Sequence, residues 1–158
     1  MKLYLVQHAK AVSKEIDPVQ PLSEEAYKEL QKVCNFIRPL NLFVDFLWHS
    51  GKKRAEQTAE ILAKAISVKS QIIKRDDIGP NDDVMKIADD LTQSGYDIMI
   101  VGHLPFLGKL ASLLLTGSEI KEIIEFKNAG IVCLSRGEGN KWQIEWIVTP
   151  QILECLVC

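Results

Sequence analysis

Short apolar runs alternate with amphipathic stretches along most of the chain. Residues 2 to 6, Lys-Leu-Tyr-Leu-Val, are apolar without a helical period and predict a buried strand. Residues 9 to 21 are polar and contain Pro18 and Pro21, which predicts a loop. Ser23 is placed as a helix N-cap, with Glu24 and Glu25 in the first turn, where carboxylates suit the dipole. Leu30, Val33, Cys34 and Ile37 continue the apolar face set by Tyr27, and Pro39 stops the helix. Residues 43 to 48 predict a second strand. A helix follows from Lys52 to Ile66, with Ala55, Ala59, Leu62 and Ile66 on one face. Gln71 to Ile73 is a short strand and 75 to 82 a loop. Val84, Ile87, Ala88 and Leu91 mark a helix ended near Gly95. Asp97 to Val101 is the plainest buried strand, and a helix runs from Phe106 to Leu115. Residues 130 to 135 and 142 to 148 are strands joined by a hairpin at Gly137 to Asn140. In the second of these, Trp142, Ile144, Trp146 and Val148 alternate with Gln143, Glu145 and Ile147. The apolar tail from Ile152 to Cys158 fits an edge strand, a dimer contact or a cover for the core.

Strands alternating with helices, then a terminal hairpin, predict an α/β fold. The expected form is a three-layer α/β/α arrangement around a mixed, mostly parallel sheet. No repeat, low-complexity run or linker divides the chain, so one domain over residues 1–158 is expected. The 158 residues suffice for a sizeable apolar core, and 47% hydrophobic with 25% charged residues is ordinary for a globular protein. Nineteen basic against twenty-one acidic residues give a net charge of −2, which argues against a nucleic-acid partner. No run reaches the roughly 18 to 20 apolar residues of a membrane helix, and the N-terminus is too short and polar for a secretory signal. A cytoplasmic protein without a membrane partner is expected. Cys34 and Cys133 fall in apolar periodic segments as small buried hydrophobes. Cys155 and Cys158 form a terminal C-x-x-C outside the strand-to-helix setting of a redox pair.

Ligands of such sheets bind at the carboxyl ends of the strands. Three strands break off polar there: the first in Gln7-His8, the second in His49-Ser50-Gly51, and the strand at 97–101 in Gly102-His103. All three histidines of the chain therefore fall at one edge. Lys52, Lys53 and Arg54 open a helix where cations oppose the dipole, a conflict that an anionic ligand relieves. Arg54 adds a planar fork that fits phosphate oxygens. The set points to phosphate. A structural role for each histidine and a solvated helix start are the plainer alternatives. A metal site lacks a nearby ligand carboxylate and an H-x-x-x-H pattern, so no metal and no cofactor are expected.

These residues resemble the histidine phosphatase superfamily. Leu5-Val6-Gln7-His8-Ala9-Lys10-Ala11 is similar to its first motif, normally Arg-His-Gly followed by an acidic residue and Ala. Ser50 to Ala59, Ser-Gly-Lys-Lys-Arg-Ala-Glu-Gln-Thr-Ala, is similar to its second motif, Ser-x-x-x-Arg-Ala-x-Gln-Thr-Ala. Val101-Gly102-His103-Leu104-Pro105 is similar to its third, Gly-His-x-Pro. Small size and Gln20-Pro21-Leu22-Ser23 resemble the minimal branch of phosphohistidine phosphatases. The resemblance implies a phosphoglycerate-mutase-like fold with no large cap. It implies His8 as nucleophile, and a phosphate held by Gln7, His8, Arg54 and His103. It also implies a partner: a phosphorylated protein (a histidine phosphotransfer domain) or a small phosphorylated substrate. Asp77 best fits the family's acid, with Asp76 and Asp82 as rivals.

Gln7 stands where the family has arginine, and Gln20 where the minimal branch often has another. Both keep hydrogen-bonding ability and delete charge. Lys10, Lys14, Lys52, Lys53 and His49 are the candidate replacements. The leading expectation is a phosphohistidine phosphatase of attenuated activity. The alternatives are a degenerate relative that binds a phosphorylated partner without turnover, and a sugar-phosphate mutase, for which the chain is too short to carry a cap.

Overall fold

The computed structural model describes residues 1–156. Six strands form one sheet in the order β3-β2-β4-β1-β5-β6. They are β1 (Lys2–Gln7), β2 (Phe43–His49), β3 (Ser67–Lys74), β4 (Ile98–Gly102), β5 (Ile131–Arg136) and β6 (Trp142–Val148). The first four pair parallel, and β5 and β6 add an antiparallel edge. Helices α1 (Glu24–Ile37), α2 (Lys53–Leu62) and α5 (Pro150–Glu154) cover one face. Helices α3 (Val84–Ser94) and α4 (Phe106–Thr116) cover the other. The expected three-layer mixed sheet is the observed one.

The period of two along β1 divides its side chains between two cores. Tyr4 and Val6 pack under α1 and α2, while Leu3 and Leu5 pack under α3 and α4. Strand β4 is buried at every position, as a central parallel strand must be. Ser23 caps α1 by accepting from the Ala26 N–H at 3.2 Å, as its sequence position indicates.

Three features differ from expectation, and a fourth selects among the readings offered for the tail. First, the helical face read through Ile66 stops at Leu62, where Lys64 and Ala65 bond back three residues and tighten the chain into a turn. Second, β3 is longer than its apolar core at 71–73. It is an edge strand held by backbone pairing to β2, with one extra residue between Val68 and Gln71, so its polar part carries no alternation to read. Third, the alternation along β6 does not mark one face. Trp142 and Ile144 lie opposite Arg136 and Leu134, but Trp146 lies opposite Cys133, so Glu145 is an extra residue and the strand changes face there. Trp142 thus joins the α3/α4 core and Val148 the α1/α2 core. Fourth, the C-terminal segment is neither strand nor left open. Thr149 caps α5, whose Leu153 is buried against the α1 side, so it covers the core. Cys34 and Cys133 are buried free thiols and Cys155 is exposed, while Cys158 lies outside the described residues.

Candidate phosphate-binding site

Strands β1 and β4 are adjacent and parallel, with Gln7 beside Gly102 in register. The residues that follow, His8 and His103, therefore leave the sheet side by side, and the His8 N–H donates to the Gly102 carbonyl at 3.0 Å. Their ring centroids are 5.1 Å apart. Strand β2 borders β4 on its other side and delivers Ser50, whose Oγ lies 2.5 Å from His103 Nε2. Helix α2 starts next and presents Arg54.

The protonation of His8 is fixed by its neighbours. Its Nδ1 lies 2.7 Å from the Ala9 carbonyl oxygen, which can only accept, so Nδ1 carries the proton. The Arg54 Nε–H, which can only donate, points at Nε2 at 3.3 Å. Both contacts leave a lone pair on Nε2. Burial keeps the His8 pKa below the ordinary histidine value and the Arg54 charge acts in the same direction, against the bond to Ala9. Neutral imidazole is the nucleophilic form.

Thr58 closes this arrangement into a ring of hydrogen bonds. Its buried Oγ1 accepts from the Ala9 N–H at 3.0 Å and donates to the Arg54 carbonyl at 2.7 Å. The path runs from His8 to Ala9, Thr58, Arg54 and back to His8. One hydroxyl thus holds the imidazole tautomer and the guanidinium in a common frame. Thr58→Val is expected to leave a buried N–H unpaired and to destabilise the fold by about 1–3 kcal/mol. Turnover should fall with it, while Thr58→Ser keeps both. Thermal denaturation beside steady-state kinetics checks this, and a valine variant with wild-type kinetics would refute it. The other anchor is Asn128, whose Nδ2 donates to the His8 carbonyl at 2.8 Å.

His103 is buried, and its pKa is pushed down to about 3. Burial is the main cause, followed by repulsion from a charged form of His8 and from the positive charges of Arg54 and Lys52. His103 Nδ1 and Gln7 Oε1 are both buried without a hydrogen-bond partner. An oxyanion beside these groups reverses the sign of the local field and favours a protonated, donating His103.

Of the residues singled out from sequence, Gln7, His8, Arg54 and His103 come together at the strand ends. His49 does not join them. Its Nδ1 accepts the Gly51 N–H at 3.1 Å, and burial makes it a turn-former at the end of β2. Gln20 is engaged in its own loop through Val12. Lys10 is drawn to Glu25 and Glu29, and Lys53 to Glu56.

Asp77 has no free carboxylate. Arg75 holds both its oxygens at 2.8 and 2.7 Å, and Lys86 adds a third contact at 2.9 Å. The Arg75 bonds, chiefly, keep its carboxyl well below the usual carboxylate range. An acid held ionised has no proton to give at neutral pH, so the geometry assigns Asp77 to anchoring Arg75, which also stacks on Trp48. Asp76 and Asp82 instead line a cleft of about 480 Å³ that includes Ser50 and Lys52.

Thr58 and Ser50 stood in the second motif without an assigned contact. Asn128 had no sequence signal, because its partner lies 120 residues away. Among the described residues, no cluster of three His, Cys, Asp or Glu side chains is arranged to hold a metal, and no helix is long and apolar enough to cross a membrane.

A mixed sheet with two histidines and an arginine at the ends of β1, β4 and α2 is the histidine phosphatase fold that the three motifs resemble. The chain is 23% identical over 155 residues to the phosphohistidine phosphatase SixA of Escherichia coli strain K12, covering 95% of this chain and 94% of that protein. The structure of the protein histidine phosphatase SixA complexed with tungstate matches with a TM-score of 0.84 at 23% identity, over 97% of this chain and 99% of that one. The alpha-ribazole phosphatase of Shigella flexneri matches with a TM-score of 0.77 at 12% identity, over 95% and 97% of the two chains. No family model matches the chain.

Proposed function

We propose that this chain is a phosphatase acting on phosphohistidine carried by a protein phosphotransfer domain in the cytoplasm, the whole chain forming one catalytic domain. The observation that carries the reading is the His8 lone pair, held on Nε2 by Ala9 on one side and Arg54 on the other. Nε2 attacks phosphorus as the bond to the leaving imidazole breaks. That imidazole keeps the electron pair and takes a proton from solvent water. Water then attacks the phosphorus on His8, releasing inorganic phosphate and restoring the neutral ring. Arg54 and His103 donate to the phosphoryl oxygens, and fixed donors of this kind supply most of the work in phosphoryl transfer. The imidazole of a phosphohistidine leaves more readily than an alkoxide, which suits a site whose candidate acid Asp77 is held ionised.

Two features support a protein-borne phosphate. Among the described residues, the connections that follow β1, β2, β3 and β4 carry no inserted helical cap over the strand ends. From Leu104, the residue after His103, a groove of about 540 Å³ runs along Pro105, Ile120, Ile124 and Phe126, with Lys109 and three glutamates also in its lining. Leu104 is 42% and Ile120 84% exposed, enough to meet a partner's apolar surface. A second reading, a binding protein without turnover, is favoured by Gln7 alone, whose oxygen is buried and unpaired where the family has a cation.

The test is phosphate release from a phosphohistidine-bearing phosphotransfer protein, run beside a small aryl phosphate. Preference for the protein substrate is expected. Tight binding of the phosphorylated partner with no release would favour the second reading.

A further inference from the structure

Gln7 leaves the site one positive charge short of the family pattern, and several lysines lie near enough in sequence to replace it. The structure removes most of them. Lys10 pairs with Glu29 at 3.4 Å and Glu25 at 3.7 Å. Lys53 pairs with Glu56 at 3.1 Å. Lys74 lies across Gly51 and pairs with Asp76 at 3.7 Å. Lys14 is exposed in the loop before α1 and makes no contact with Gln7, His8, Arg54 or His103.

Lys52 differs in that its side chain is paired with no carboxylate among the described residues, although Asp76 and Asp82 line the same cleft. It is the N-cap residue of α2, two positions before Arg54. It lines the same cleft as Ser50, the residue whose Oγ touches His103 Nε2. Its own backbone N–H reaches that Oγ at 3.4 Å. A cation at a helix N-terminus is disfavoured by the dipole unless an anion lies between them. The Lys52 charge is the smallest of the causes that depress the His103 pKa, after burial, His8 and Arg54.

We propose that Lys52 reaches the bound phosphate from the wall of the Ser50 cleft and supplies the positive charge that Gln7 does not. This rests on the phosphate-site reading above. Lysine acts as a point charge and lacks the arginine fork, so the replacement is partial.

The test is a double-mutant cycle read as the affinity for inorganic phosphate by calorimetry, in wild type, Lys52→Gln, Gln7→Arg and the double variant. Lys52→Gln is expected to weaken phosphate binding about tenfold in wild type, and by less than about twofold once Gln7→Arg has restored the guanidinium. Lys52→Arg should retain binding. Equal losses in both backgrounds, or no loss in wild type, would overturn the assignment while leaving the site reading intact. Absence of phosphate binding in both wild type and Gln7→Arg would overturn the site reading and Lys52 with it. Lys52 is exposed, and circular dichroism verifies that each variant is folded.

Discussion

His8→Ala is expected to abolish phosphate release, with kcat falling about a thousandfold or more. The expectation follows from geometry. Ala9 and Arg54 fix the His8 tautomer with the lone pair on Nε2, where it accepts from Arg54 Nε–H at 3.3 Å until a phosphoryl group draws the guanidinium away. His103 Nε2 lies 2.5 Å from Ser50 Oγ, and burial pushes its pKa down to about 3, which makes it a weak base and a weak nucleophile. Alanine removes the nucleophile and leaves Arg54, His103 and the strand ends in place. Phosphate binding should therefore survive far better than turnover. The wild-type protein quenched during turnover should carry an acid-labile phosphoryl group on His8, detectable as a mass increase on its peptide. Turnover that persists in His8→Ala, or a label on another residue, would remove His8 from the mechanism.

The strands that place this site were legible because each is a short apolar run ending in polar residues. Strand β4 is buried throughout, so its hydrophobicity needed no alternation to be seen. The convergence of His8 and His103 followed from parallel pairing, which sets the ends of adjacent strands at one level. Hydrogen bonds between distant segments were not legible. The Arg75 fork that neutralises Asp77 sits only two residues away, yet nothing in Arg-Asp-Asp tells which carboxylate the guanidinium takes. His49 shared the strand-end position of the other histidines, but its role depends on the turn at Gly51, whose φ of 84° lets the N–H fold back onto the ring. The β6 change of face depended on one inserted residue, which an alternating pattern cannot reveal when both cores accept apolar side chains.

Gln7→Arg should raise turnover about ten- to a hundredfold. A hydrogen bond to a charged group contributes roughly 1.5 to 3 kcal/mol, and each 1.4 kcal/mol realised in the transition state is about tenfold in rate. The position is suited to the gain. Gln7 ends β1 immediately before His8, and its Oε1 is buried without a partner, so no existing hydrogen bond of that oxygen is lost in the exchange. A guanidinium at this position would add the fork that a lysine cannot form. The effect should appear mainly in kcat if the new bonds strengthen as charge shifts onto the oxygens, and mainly in KM if they grip substrate and transition state alike. Steady-state kinetics on the phosphotransfer protein separates the two. A folded Gln7→Arg variant with unchanged kcat and KM would mean that the site already holds its full complement of charge, and that Gln7 is no deficit. A variant that gains phosphate affinity but still releases nothing would place the obstacle downstream of binding, in the delivery of water to the phosphorylated His8.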